Sequence, residues 1–124
     1  MANPANLTIN ELSANAGLAQ PAAQSVDTNG TINCGVKSQT DRLLIEVVNT
    51  DDAALTVTVK AGTGVHAHTS RDLAVSVPAG AGKLIGPLES MRFVKADGSI
   101  DVQFQAAAGS PAASVRVYRL PANI

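Results

Sequence analysis

The sequence predicts an all-β protein, an antiparallel β-sandwich or barrel of about eight strands. Apolar and polar residues alternate with a period of two over several short stretches, as strands buried on one side require. Clusters of Gly, Pro, Asn and Asp separate these stretches about every ten residues, which is the spacing of turns in small β domains. No stretch carries apolar residues at helical spacing over three turns. The pattern does not separate a jelly roll from an immunoglobulin-like topology.

The clearest signal lies in residues 40–60, where two alternating runs flank a polar turn. The apolar positions that share a face are Leu43, Ile45 and Val47 in the first run and Leu55, Val57 and Val59 in the second. Residues 49–52 (NTDD) favour a turn, because short polar side chains bond their own backbone. We interpret this stretch as a central hairpin against which the other strands pack.

The remaining strands are assigned in chain order from the same alternation and from their turn signals. An Asn-Gly turn at Asn29 and an Asp-Gly turn at Asp97 are the strongest of those signals, since both pairs accept positive φ angles. The predicted strands cover residues 24–26, 31–34, 73–77, 83–86, 91–95, 100–105 and 114–118. A short strand is also expected at residues 7–10.

Composition limits the function classes. A chain of 124 residues fits one domain that buries a sizeable core. Aromatic residues make up 2%, so the core must be aliphatic, and the aromatic platforms of sugar and single-strand nucleic-acid sites are scarce. The formal net charge of −1 offers no electrostatic footprint for nucleic acid. No apolar run reaches the ~18 residues of a membrane span, and the single cysteine, Cys34, excludes an intrachain disulfide.

Basic residues are absent from the first part of the chain. Residues 1–36 contain no Lys or Arg, and their acids are Glu11 and Asp27. We therefore expect an N-terminal arm over residues 1–23 and a β-sandwich domain over residues 24–124. An uncharged extended arm suits strand addition to a neighbouring subunit, which makes Leu7 and Ile9 candidate partner-interface residues.

Arginines on outward strand positions complete the candidate interface. Arginine is favoured at interfaces because its planar fork pairs with carboxylates through two hydrogen bonds. The candidates are Arg71, Arg92 and Arg116.

One cluster resembles a metal site. His66 and His68 lie on the same side of an extended chain, and Asp72 follows nearby. Two imidazoles and a carboxylate bind zinc in many proteins, but a third ligand with firm spacing is missing and the flanking Gly and Thr indicate a loop. We interpret these residues as weak metal candidates only and predict no cofactor. A nucleophile elbow and an oxyanion-hole motif are also missing, so no enzyme is predicted.

The order of motifs resembles a known group of proteins. The stretches TDRLLIEVVNT, LTVTVKAG, DLAVSVPAG, IGPLESMRFVKADGSIDVQF and SVRVYRLP are similar to small virion proteins of tailed phages and prophages of actinobacteria. The likeness extends from about Asn6 to the C-terminus and implies a capsid decoration (cement) protein. It further implies binding to the outside of the shell formed by the major capsid protein, assembly in the host cytoplasm, and self-association into a trimer or another cyclic oligomer.

Two alternatives stay open at this point. The chain is also compatible with another virion component, such as a tail-tube or head-completion protein. A third class is a small metal- or ligand-binding β module that uses His66 and His68.

Zinc tests the third class. We expect added zinc, or its removal by a chelator, to leave the thermal midpoint of unfolding unchanged, because the histidine pair lacks a third ligand of firm spacing. A midpoint that rises with zinc, together with a stoichiometric heat of binding, would instead support the metal-binding module.

Overall fold

The computed structural model of the protein describes residues 3–63 and 71–121, and within these ranges it is a β-sandwich. Two sheets pack face to face, and the strands of the described ranges do not close into a barrel. The all-β prediction is confirmed, and of the two architectures predicted the structure is the sandwich.

The described ranges contain ten strands and one single-turn helix. The strands are β1 (Asn6–Leu7), β2 (Ile9–Glu11), β3 (Gln24–Val26), β4 (Gly30–Cys34), β5 (Leu43–Asn49), β6 (Leu55–Val59), β7 (Leu73–Val77), β8 (Gly82–Ile85), β9 (Ile100–Ala106) and β10 (Ala113–Arg119). Helix α1 (Ser90–Phe93) lies between β8 and β9. The first residues of the chain form two strands where one was expected.

The strands divide into a sheet of order β1-β4-β9-β6-β7, called sheet 1, and a sheet of order β2-β10-β5-β8, called sheet 2. Strand β3 also pairs with β10, beside β2 on the same edge. All pairs are antiparallel except β1 with β4 and β2 with β10, which are parallel. Both sheets are therefore mixed, because the two N-terminal strands, β1 and β2, run parallel to the later strands with which they pair.

The hairpin predicted over residues 40–60 is wrong, because its two strands do not pair with each other. Strand β5 belongs to sheet 2 and β6 to sheet 1, so the turn between them crosses from one sheet to the other. The same holds for β3 and β4 on either side of Asn29. Alternation identifies which face of a strand is buried, but it does not say whether the next strand lies beside it or opposite it across the core.

The strand expected over residues 91–95 is also wrong. This segment begins in α1, where the backbone N–H groups of Arg92 and Phe93 both donate to the Glu89 carbonyl at 3.2 Å. Phe93 is buried and Val94 packs partly against the core. A single apolar anchor satisfies a helical turn as well as a short strand, so a five-residue pattern cannot separate the two.

The core lies between the two sheets and is aliphatic, as the composition predicted. Eleven inward-facing apolar side chains of the four central strands are fully buried: Leu43, Ile45, Val47, Leu55, Val57, Val59, Ile100, Val102, Phe104, Val115 and Val117. Complete burial of a Val, Leu or Ile side chain contributes about 1.5–3 kcal/mol relative to exposure. This layer is the main source of the stability of the fold.

Asn49, at the end of β5, joins the two sheets at one end of the sandwich. Its side chain is buried, and Nδ2 lies 2.9 Å from the Ala53 carbonyl oxygen and 3.1 Å from the Val77 carbonyl oxygen. Its Oδ1 accepts the backbone N–H of Asp51 at 3.0 Å. One amide therefore ties β5 of sheet 2 to the end of β7 in sheet 1 and orders the turn between β5 and β6.

Replacement of this amide tests that connection. We expect Asn49→Ala to lower the free energy of unfolding by about 2 kcal/mol, because buried carbonyl groups lose their donor. Asn49→Asp is expected to cost more, since it places a negative charge against the same oxygens. Denaturant titration followed by circular dichroism measures both changes. The matched control is Thr50→Ala, which removes an exposed hydrogen bond to the Ala112 carbonyl; a loss as large as that of Asn49→Ala would contradict the interpretation.

Candidate partner-binding surface

The proposed metal cluster is only partly within the described residues. His66 and His68 lie outside them, whereas Asp72 lies just before β7. In the ranges 3–63 and 71–121 no group of three or more His, Cys, Asp or Glu side chains is placed to hold a metal ion. The metal hypothesis therefore stays a prediction for the zinc experiment.

Asp72 has a structural role of its own. Its carboxylate accepts the Lys60 ammonium at 2.8 Å and the Ala61 backbone N–H at 2.6 Å. These hydrogen bonds, with the charges of Lys60 and Arg92, hold the pKa of Asp72 below its usual value. The contacts join the end of β6 to the start of β7, so Asp72 stabilises the base of the β6–β7 connection.

Arg92 lies on α1 and not on an outward strand position. Its Nε donates to the Arg71 carbonyl at 3.0 Å and its Nη2 to the Asp72 carbonyl at 3.2 Å. The guanidinium carbon also lies 4.7 Å from the centroid of the Phe93 ring. Arg92 therefore holds the two residues that precede β7 in place. The side chain of Arg71 is exposed, and its backbone has a positive φ of 60°.

Arg116 is on the outward face of β10, as predicted, but it binds within the chain. It faces Glu46 on β5 and lies 3.3 Å from that carboxylate. Its Nε donates to the Pro21 carbonyl at 2.9 Å. Both contacts are partly exposed, so the ion pair contributes about 0–1 kcal/mol, and its main effect is to hold the segment 12–23 against sheet 2.

Leu7 and Ile9 do not form a free arm. Leu7 is 4% exposed and belongs to the core, where β1 pairs with β4. Ile9 packs partly against the core, and β2 pairs with the end of β10. Burial removes the Leu7 side chain from the surface of this chain, which corrects its assignment as a surface contact. The strand addition foreseen for a neighbouring subunit occurs here on the chain's own sheets.

Cys34 is a core residue. Its side chain is fully buried at the end of β4, and burial raises the pKa of the thiol to about 11, although the Arg119 charge opposes this shift. The thiol is therefore protonated at neutral pH, a state with little nucleophilic character.

The outer face of sheet 2 carries the apolar surface that the sequence interpretation missed. Segment 12–23 crosses this face, and together they form a groove of about 410 Å³. The groove is lined by Leu12, Leu18, Pro21, Leu44, Leu84 and Tyr118, which we call the sheet 2 patch, together with Gln20. Leu84 is 64% exposed and Leu18 is 46% exposed. Large apolar side chains that are exposed together are a mark of interaction surfaces.

The outer face of sheet 1 has the opposite character. Its outward positions on the central and edge strands are small or polar: Thr31, Thr56, Thr58, Ala74, Ser76, Gln103 and Gln105. These side chains stand in register across β4, β9, β6 and β7. The outer face of sheet 1 is therefore polar, whereas the outer face of sheet 2 carries an apolar patch beside the Glu46–Arg116 ion pair.

The sheet 2 patch left a signal in the sequence. Residues 43–48 (LLIEVV) are apolar on both faces of the strand except at Glu46, so Leu44 and Val48 had to lie outside the core. The contribution of Leu18 could not be found this way, because the course of segment 12–23 depends on the distant Arg116.

No protein-family model, curated protein or solved structure matches this chain. Among the described residues no helix is long and apolar enough to cross a membrane. The functional conclusion therefore depends on the two faces and on the resemblance noted above.

The ion pair at the base of the β6–β7 connection predicts an acid-sensitive stability. Because the pKa of Asp72 is lowered on folding, its contribution is present above the unfolded value of about 3.9 and is lost as the pH falls through the folded value. We expect Asp72→Asn to flatten the fall of the thermal midpoint below about pH 4. Asp52→Asn removes the same charge from the exposed β5–β6 turn and serves as the control. Equal flattening by both variants would rule out a specific role for Asp72.

Proposed function

We propose that this chain is a capsid decoration protein that binds the outer surface of the assembled major capsid protein lattice and stabilises the shell. The observation that carries this proposal is the sheet 2 patch, an apolar surface on a domain whose opposite face is polar. The resemblance to phage virion proteins supplies the partner.

The two faces support a defined orientation on the shell. The sheet 2 patch contacts the capsid proteins, and the Thr- and Gln-rich face of sheet 1 faces water. The patch has little net charge, because Glu46 is paired with Arg116. Affinity would come mainly from removing Leu18 and Leu84 from water, at about 25 cal/mol for each Å² buried.

The sandwich supports the mechanism through its rigidity. A ligand that binds the assembled lattice and not its free subunits stabilises the lattice by mass action. A closely packed aliphatic core keeps the patch in one shape before binding, so little conformational entropy is lost on docking. Repetition over many equivalent sites multiplies a modest contact at each.

Sedimentation with shells tests the proposal. We expect the wild-type protein to co-sediment with undecorated shells assembled from the major capsid protein of a tailed phage or prophage whose genome encodes this chain. The double variant Leu18→Gln with Leu84→Gln is expected to bind about tenfold or more weakly, because it removes the two most exposed apolar side chains of the patch.

The matched control adds two glutamines to the opposite face, as Thr31→Gln with Thr56→Gln. Both positions are exposed on the outer face of sheet 1, so this variant should bind as the wild type does. Circular dichroism confirms that each variant is folded. Failure of the wild-type protein to co-sediment ends the proposal, and a loss confined to the sheet 1 variant reverses the orientation.

A further inference from the structure

Strand β7 forms an edge of sheet 1 that nothing in its own sequence protects. Within the described residues it pairs with β6 on one side only. The free side of an edge strand presents unpaired N–H and C=O groups that accept another strand, and proteins usually block it with charge, proline or a bulge. The five residues of Leu73–Val77 include no charged residue and no proline.

The corresponding edge of sheet 2 is guarded. Lys83 on β8 lies directly opposite Val47 of β5, whose side chain is fully buried in the core. Lys83 is exposed on this edge, and a charged side chain on an edge strand resists strand addition, because pairing would desolvate the charge. The edges at β1, β2 and β3 are strands of only two or three residues. Among the described residues, β7 is therefore the longest edge strand that carries no charged residue or proline.

Strand β7 is also held in place at both ends. Arg92 donates to the carbonyls of Arg71 and Asp72 just before the strand, and Asn49 donates to the Val77 carbonyl at its end. The unpaired edge is thus fixed in an extended conformation, which lowers the entropy lost on pairing.

We propose that β7 pairs antiparallel with β7 of a second copy of this chain, about a two-fold axis beside Val75. In this register Val75 faces its equivalent, Leu73 faces Val77 of the second copy, and Ala74 faces Ser76 of the second copy. Sheet 1 continues through the axis into the second copy. The proposal does not depend on the decoration role.

The side chains of β7 favour a second copy over an unrelated strand. Its alternation is symmetric about the centre, with apolar residues at 73, 75 and 77 and small residues at 74 and 76. Self-pairing therefore covers the half-buried Leu73 and Val75 with apolar side chains, and the exposed Ala74 and Ser76 meet without a clash. Arg71 faces the uncharged turn after Pro78, so no like charges meet. An interface built on one strand pair is small, and the dimer is weak and concentration-dependent.

Charge at the exposed positions tests this pairing without disturbing the core. The variant Ala74→Lys with Ser76→Lys places two lysines opposite each other at both 74–76 contacts. Like charges directly opposite across strands are destabilising, so we expect the dimer dissociation constant measured by analytical ultracentrifugation to rise about tenfold or more. The variant Ala74→Lys with Ser76→Glu places opposite charges at the same contacts and is expected to retain the dimer. On β6 these positions face Thr58 and Thr56, so both monomers should remain folded.

Cysteine crosslinking tests the register. A mixture of Ala74→Cys and Ser76→Cys proteins is expected to form the mixed disulfide in preference to either symmetric one, because positions 74 and 76 face each other. The native Cys34 is buried and stays out of the reaction. A wild-type protein that stays monomeric at submillimolar concentration, or an oligomer that the double-lysine variant leaves intact, overturns the proposal. Predominantly symmetric crosslinks overturn it as well.

Discussion

The structure depends on one packing constraint, the contact between the inward faces of β5 and β10 in sheet 2 and those of β6 and β9 in sheet 1. These faces consist mainly of Val, Ile, Leu and Phe104, and their side chains are fully buried. Because β-branched side chains have few rotamers, two such faces interdigitate at small entropic cost. The short N-terminal strands, α1 and the connecting turns are placed by reference to this layer. Asn49 and Arg92 then fix the strand ends that the layer does not reach.

That constraint leaves the two outer faces free to differ. On sheet 1 the outward residues are mainly hydroxyls and amides, and the charge of Asp101 is paired with Lys95. On sheet 2 the outward leucines gather around segment 12–23, which Arg116 holds through the Pro21 carbonyl. The arginines expected to meet a partner are largely engaged in this internal organisation.

The alternation of apolar and polar residues predicted well which side chains of each strand are buried, but it did not predict which strands pair with each other. The alternation over residues 43–47 and 55–59 placed the apolar inward residues of β5 and β6 correctly, because burial on one side imposes a period of two. Asn49, the buried last residue of β5, was instead assigned to the turn. It could not show that the two strands face each other across the core, since a turn looks alike in a hairpin and in a crossover between sheets. The same limit hid the parallel docking of residues 6–11 and the course of segment 12–23, both of which depend on contacts with residues far along the chain. Leu44 was visible as an outward leucine from the alternation over residues 43–48, but only the fold brings it together with Leu84 and Leu18.

The parallel pairing of β2 with β10 has a mechanical consequence. Residues before β2 and residues after β10 leave this ladder at opposite ends, because Ile9–Glu11 and Val117–Arg119 run in the same direction. Tension between the two ends of the chain therefore shears the ladder along its length and strains its hydrogen bonds together, instead of peeling them apart singly. Such a geometry resists stretching, because the hydrogen bonds of the ladder share the load and must break together.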